Sequence, residues 1–169
     1  MTRSRQRSIF VLGYGNPGRQ DDGLGPKAAE RIESLELSFV TTDAAYQLNI
    51  EDAEAISGHD MVIFVDASLS APGPFSFERI YPADEVTFTS HSVSPGSIMK
   101  LAADHFGPAP EAYVMGIRGY SFEFEEGLTE LARANLDAAT AFLAAFLPLF
   151  AHKFVPAKAR SMQESTDAR

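Results

Sequence analysis

Two adjacent carboxylates, Asp21 and Asp22, sit in a glycine-rich run, GYGNPGRQDDGLGP over residues 13–26, that follows a short apolar stretch. A third carboxylate, Asp66, ends the most apolar strand-like run in the chain, MVIFV, and an imidazole, His91, stands shortly before Ser94 and Pro95. Two carboxylates and one imidazole make an O,O,N donor set with open positions. Such a set suits a borderline divalent ion such as nickel or zinc and leaves room for water or substrate. The separations of 44 and 25 residues between Asp22, Asp66 and His91 hold no local motif of the H-E-x-x-H kind, so only the fold can assemble the set. Residue chemistry by itself reaches a metal-assisted hydrolase and stops there.

Each of these residues also has a plainer use. Pro26 is comfortable only in the first turn of a helix, so the helix is expected to start at about Gly23 to Gly25 with Asp22 just before it, where a carboxylate is a good N-cap and is favoured by the helix dipole. One Asp would suffice for capping, and the pair leaves the other spare. Asp66 could bond the backbone amides of the Ala67–Ser68 turn, but a charged group at the rim of a buried strand is costly unless paired or coordinated. His91 could be an ordinary hydrogen-bonding loop residue; the N-terminus of the following helix favours its neutral, metal-binding form. The other histidines are weaker candidates: His59 precedes the apolar strand, His105 borders a helix face, and His152 lies near the C-terminus.

Gly13, Gly15 and Gly18 also satisfy the dinucleotide fingerprint GxGxxG, with Asp43 placed near the end of the next strand like a ribose-binding acid. Pro17 removes an N–H from the loop that should hold pyrophosphate, and Asp21 and Asp22 would face a dianion at the helix start. The chain of 169 residues also leaves little room for a separate catalytic domain.

Composition narrows the chemistry further. With no cysteine, disulfide frameworks, zinc ribbons, iron–sulfur clusters and thiolate nucleophiles are excluded. The formal charge is −9, but the bases gather at the two ends. Residues 8–152 hold seven of them against 21 acids, a net −14, which suits a polyanion such as nucleic acid poorly. MTRSRQRS leads into too few apolar residues for a secretory signal. The stretch Ala138 to Ala151 falls short of a bilayer span and is interrupted by Pro148. A cytoplasmic protein with no membrane and no nucleic-acid partner is the expectation, and a monomer.

The elements that must position these groups follow from the apolar pattern. Ile9 to Tyr14 and Met61 to Val65 are continuous apolar runs of the kind buried on both faces of a parallel sheet. Leu24, Ala28, Ile32 and Leu35 give one face of a helix. A strand is expected over Leu37 to Thr41, a short helix over Ile50 to Ile56, and a strand over Phe75 to Ile80. Ser94, Pro95 and Gly107 bracket a further helix. Ala112 to Ile117 reads as the last strand, and Leu128 to about Leu147 as the closing helix. The expected architecture is α/β, a single three-layer domain with a twisted, mostly parallel sheet of about five strands and helices on both faces. It occupies residues 8–152, between a basic lead (1–7) and a polar tail (153–169). Ligands of such sheets bind at the carboxyl ends of the strands.

The segments VLGYGNPGRQDDGLG, VIFVDA and TSHSVSPGSIMKLA resemble, in order and separation, the three signature segments of the hydrogenase maturation endopeptidases, over roughly residues 8–147. That resemblance implies an enzyme that removes the C-terminal extension of a nickel-iron hydrogenase large-subunit precursor once nickel is installed. It implies Asp22, Asp66 and His91 as metal ligands and as the catalytic set, acting through the metal with no separate nucleophile. Gly15, Asn16, Asp21, Tyr46 and Gln47 are implied as the substrate loop, and Ni2+ as a metal presented by the substrate. The missing cysteines then fit, because the thiolates belong to the precursor. Many members carry a glycine-rich turn after the second strand, where this chain has DAAYQLNIED over residues 43–52. GNPG also resembles the peptidyl-tRNA hydrolases, but these continue with a tyrosine and a histidine–asparagine pair where this chain has Arg19 to Asp22. A non-catalytic, nickel-dependent docking or chaperone module would use the same ligands without cleavage.

Overall fold

The computed structural model describes residues 5–88 and 92–152. His91 and the 153–169 tail therefore lie outside the described residues, as do residues 1–4. The described chain forms β1 (Ile9–Tyr14), α1 (Leu24–Glu33), β2 (Val40–Ala45), α2 (Asp52–Ile56), β3 (Met61–Ser68), β4 (Phe75–Ile80), α3 (Pro95–His105), β5 (Glu111–Arg118) and α4 (Glu130–Ala151). The five strands make one sheet in the order β2-β1-β3-β5-β4. β2, β1, β3 and β5 run parallel, and the edge strand β4 is antiparallel to β5.

The continuous apolar runs of β1 and β3 are explained by the two faces they serve. Ile9, Val11, Ile63 and Val65 pack with Met115 and Ile117 against α1 and α4, through Leu24, Ala28, Ile32, Leu136 and Leu143. The alternate residues Phe10, Leu12, Val62 and Phe64 pack against α2 and α3, through Ile56, Ile98 and Met99. Side chains alternate between faces along a strand, so a strand covered on both sides has no polar face to display. The three-layer, mostly parallel α/β architecture is the one read from the sequence.

The differences lie where burial and pattern part company. The second strand is Val40–Ala45, not Leu37 to Thr41. Leu37 and Phe39 are apolar because they pack against the core from the connector, whereas the edge strand pairs only with β1 and keeps a polar, half-exposed sequence. The short helix begins at Asp52, since Ile50 is 52% exposed and takes no part in the core. β3 runs three residues past Val65, to Ser68, because β5 continues beside it and pairs Ser68 with Arg118. The third helix is bracketed as expected. Ser94 accepts from the Ser97 amide and Pro95 opens the helix, while Gly107 takes φ +100° just beyond it.

The last helix corrects the reading of Ala138 to Ala151. It is 22 residues long, capped by Thr129, and passes through Pro148. By length and composition alone it is long and apolar enough to cross a bilayer. Here its stripe Ala132, Leu136, Ala139, Leu143 and Leu147 is fully buried against the sheet, and Phe150 and Ala151 anchor the turn beyond the proline.

Candidate metal site

The carboxyl ends of β1 and β3 lie side by side, with Gly13 in register with Val65. Tyr14 and Asp66, the next residue on each strand, therefore emerge together at that edge. Glycine is required here to bring α1 close. A Cβ on Gly25 would stand 2.3 Å from the Tyr14 carbonyl oxygen and 2.4 Å from that of Val65, and one on Gly13 would stand 2.0 Å from the Gly25 carbonyl oxygen. Gly15 takes φ +137°, and a Cβ there would lie 1.9 Å from the Asp22 carbonyl oxygen. Two of the three fingerprint glycines thus serve the chain's own packing.

Between β1 and α1 the chain forms two short 3-10 turns, Pro17–Gly23, joined at a kink where Gln20 takes φ 45° and ψ −114°. Asn16 caps the first turn by accepting from the Gly18 amide at 2.9 Å. Its own amide donates to Asp22 Oδ2 at 2.8 Å. Asp22 consequently does not cap α1, as the proline position had suggested. The cap is Gly23, with no side-chain bond, because the turns carry the chain into the helix without an extended capping residue.

Asp66 is half-buried, and its Oδ1 accepts from the Ala67 amide at 2.8 Å. Burial pushes its carboxyl up to about 7; the Ala67 amide and the Tyr14 hydroxyl, both hydrogen-bond donors to it, pull the other way, and the charge of Asp22 adds to the rise. The Tyr14 phenol is pushed well above its ordinary range by burial, then by the charge of Asp66 and the hydrogen bond to it. Asp22 and Asp66 are thus close enough to repel, and both open into one cleft of about 300 Å³. Tyr14, Gly15, Tyr46 and Gln47 line the same cleft, together with Leu48 and Ser92 to Pro95.

The structure therefore brings together Asp22, Asp66, Gly15, Tyr46 and Gln47, with Asn16 reaching the group through its backbone. Ser92, next in sequence to His91, lines the cleft, while His91 itself lies outside the described residues. Among the described residues no cluster of three or more Asp, Glu and His side chains is poised to hold a metal.

Asp21, implied as part of the substrate loop, stands apart from this group. It is fully buried and lines neither this cleft nor its neighbour. Its Oδ2 accepts from the Tyr120 amide (2.8 Å), the Ser121 amide (3.1 Å) and the Thr129 hydroxyl (2.8 Å), and its Oδ1 from the Thr129 amide (2.8 Å). These bonds outweigh burial and hold its carboxyl below the usual range. The adjacent acids divide the work, one tying the loop after β5 to the start of α4 and the other facing the cleft. Tyr14 went unnoticed in the sequence, although its place on the last residue of an apolar strand, directly before the loop, was the available signal.

A carboxylate pair at a strand edge, one member titrating near neutrality, can hold a divalent cation or act as a general base toward water. A cation would relieve the mutual repulsion, and the all-oxygen, partly hydrogen-bonded pair fits one.

No protein-family model matches the chain, and no match is found among curated proteins. Solved structures do match. A [NiFe] hydrogenase maturation protease, HycI, from Thermococcus kodakarensis KOD1 superposes with a TM-score of 0.68 at 21% identity, covering 85% of this chain and 94% of that one. The hydrogenase maturating endopeptidase HybD from E. coli gives 0.66 at 24%, covering 84% and 93%. A hydrogenase 3 maturation protease gives 0.58 at 20%, covering 80% and 88%. At these identities the likeness establishes a shared fold, over nearly the whole of each relative.

Proposed function

We propose that this protein is a hydrogenase maturation endopeptidase, which removes the C-terminal extension of a nickel-iron hydrogenase large-subunit precursor after nickel insertion. The observation that carries the reading is the Asp22–Asp66 pair, converging from the turns before α1 and from β3 on one cleft at the carboxyl edge of the sheet. The three sequence segments and the shared fold support it. His91, in the segment that precedes Ser92, is the third donor on this reading. The protein is a cytoplasmic monomer without membrane or nucleic-acid partners.

The metal arrives as part of the substrate, held by the precursor's own cysteines, and Asp22 and Asp66 supply the oxygen donors that sense it. Binding there places the scissile peptide within the cleft. A carboxylate oxygen of the pair left free of the metal is placed to accept a proton from attacking water. Tyr14 holds the Asp66 carboxylate by its hydroxyl, and Tyr46 and Gln47 line the same cleft, at positions where many members of the family have glycines.

The test is direct. Nickel-loaded and nickel-free precursor are incubated with the protein and weighed. A C-terminal fragment released only from the nickel-loaded form supports the reading. Binding without any change of mass would instead make the protein a docking module.

A further inference from the structure

Beside the Asp22–Asp66 cleft lies a second, larger one of about 670 Å³. The two share a wall at Tyr46, and Asn16, whose amide holds Asp22, lines the larger. Lys27 and Arg31 from α1 and Arg133 from the first turn of α4 line it as well. Three of the seven basic side chains in a body of net charge −14 thus meet in one cleft, with Glu126 as the acid on its wall.

The three are not equivalent. Lys27 is paired with Glu30 at 2.8 Å and Arg31 with Asp137. Every other described Lys or Arg also has an ion pair, a carbonyl or an aromatic ring to meet. Arg133 alone among the described residues has no side-chain partner. It is exposed and stands near the positive end of α4, where a cation is unfavourable for the helix. Helix stability does not explain it, and no internal anion does.

We infer that this cleft is a carboxylate subsite for the peptide substrate, with Arg133, the one basic side chain there without an internal acid, as its anchor. The inference rests on the endopeptidase reading for the identity of the peptide. A guanidinium fork matches a carboxylate with two parallel hydrogen bonds. A peptide running from the Asp22–Asp66 cleft across Tyr46, which lines both clefts, would enter it. The carboxylate is supplied by either the chain end of the extension or an Asp or Glu side chain within it. Against a body that otherwise repels anions, one such pocket selects where an acidic segment can settle.

The probe is a fluorescein-labelled synthetic peptide spanning the cleavage region and C-terminus of a large-subunit precursor from the same organism. It is made as the free acid, with an amidated C-terminus, and with every Asp and Glu replaced by Asn and Gln. Anisotropy titration should show the free acid binding about tenfold or more tightly than one of the neutralised peptides, and which one identifies the source of the carboxylate. Arg133→Glu should lose at least as much affinity for the free acid and no longer distinguish the three peptides. Arg133→Lys, which keeps the charge but loses the fork, should recover only part of the binding, and Arg79→Glu, which reverses the same charge on β4, should behave as wild type. Equal affinity of the wild type for all three peptides, or unchanged binding by Arg133→Glu, overturns the subsite. Failure to cleave nickel-loaded precursor, with carboxylate-dependent binding intact, removes the endopeptidase reading and leaves the subsite standing.

Discussion

Replacing Asp21 tests whether the first member of the acidic pair is structural. Asp21→Ala strips the acceptors from three part-buried backbone amides, those of Tyr120, Ser121 and Thr129, and from the Thr129 hydroxyl. A buried donor left without a partner costs about 1–3 kcal/mol. Allowing the hydroxyl to turn elsewhere and water to reach one amide, the loss comes to roughly 3–6 kcal/mol, a large share of the ~5–15 kcal/mol that holds a domain folded. Asp21→Asn keeps the shape, but its NH2 must face the Thr129 N–H or displace the other three bonds, for about 2–3 kcal/mol. Urea unfolding measures both, and melting should fall by roughly 10–20 °C for the alanine variant. The pH dependence has a definite sign. The folded-state carboxyl lies below its ordinary value of 3.8, so its stabilisation is fully present above that value and is lost as pH falls through the lower folded one. The gap between wild type and Asp21→Ala should therefore be widest at neutral pH and narrow on acidification. A loss below about 1 kcal/mol at pH 7 would refute the assignment of Asp21 as the tie between the β5–α4 loop and the glycine loop.

Two further perturbations probe the scaffold and the site. Gly25→Ala drives a Cβ into the Tyr14 and Val65 carbonyl oxygens and should cost about 3 kcal/mol or more, whereas Gly58→Ala, with φ +81° but open space around it, should cost only about 1 kcal/mol; equal losses in thermal melts would contradict the close approach of α1. Tyr14→Phe removes a hydrogen bond that favours ionised Asp66, so the Asp66 carboxyl should rise above about 7. The acidic limb of the pH–processing profile should then move up by about half a unit, and an unmoved limb would exclude Tyr14 from controlling that carboxyl.

Sequence reading succeeded where one physical cause wrote the pattern. The doubly covered strands β1 and β3 must be apolar throughout, and Ser94 with Pro95 and Gly107 is a cap written in residue types. It failed where apolarity had another cause. Leu37 and Phe39 looked like strand because they are buried, and Thr42–Ala45, the rest of the edge strand, went unread because one of its edges and part of its surface are wet. The site was half visible in the same way. Asp66 was legible from its place at the end of a buried strand. The division between Asp21 and Asp22 was not, because it depends on the loop after β5, about 100 residues away in sequence. Arg133 carried no signal either, since a lone arginine on a helix becomes unusual only once its neighbours are seen to offer it nothing.

On the proposed function, Asp22 and Asp66 form the working end of a nickel-sensing peptidase. Mass spectrometry of nickel-loaded precursor incubated with wild type, Asp22→Ala and Asp66→Ala tests it most directly. Release of the C-terminal fragment by wild type alone, with both variants folded, is the expected result. Undiminished release by both variants, or release by wild type from nickel-free precursor at the same rate, would contradict it.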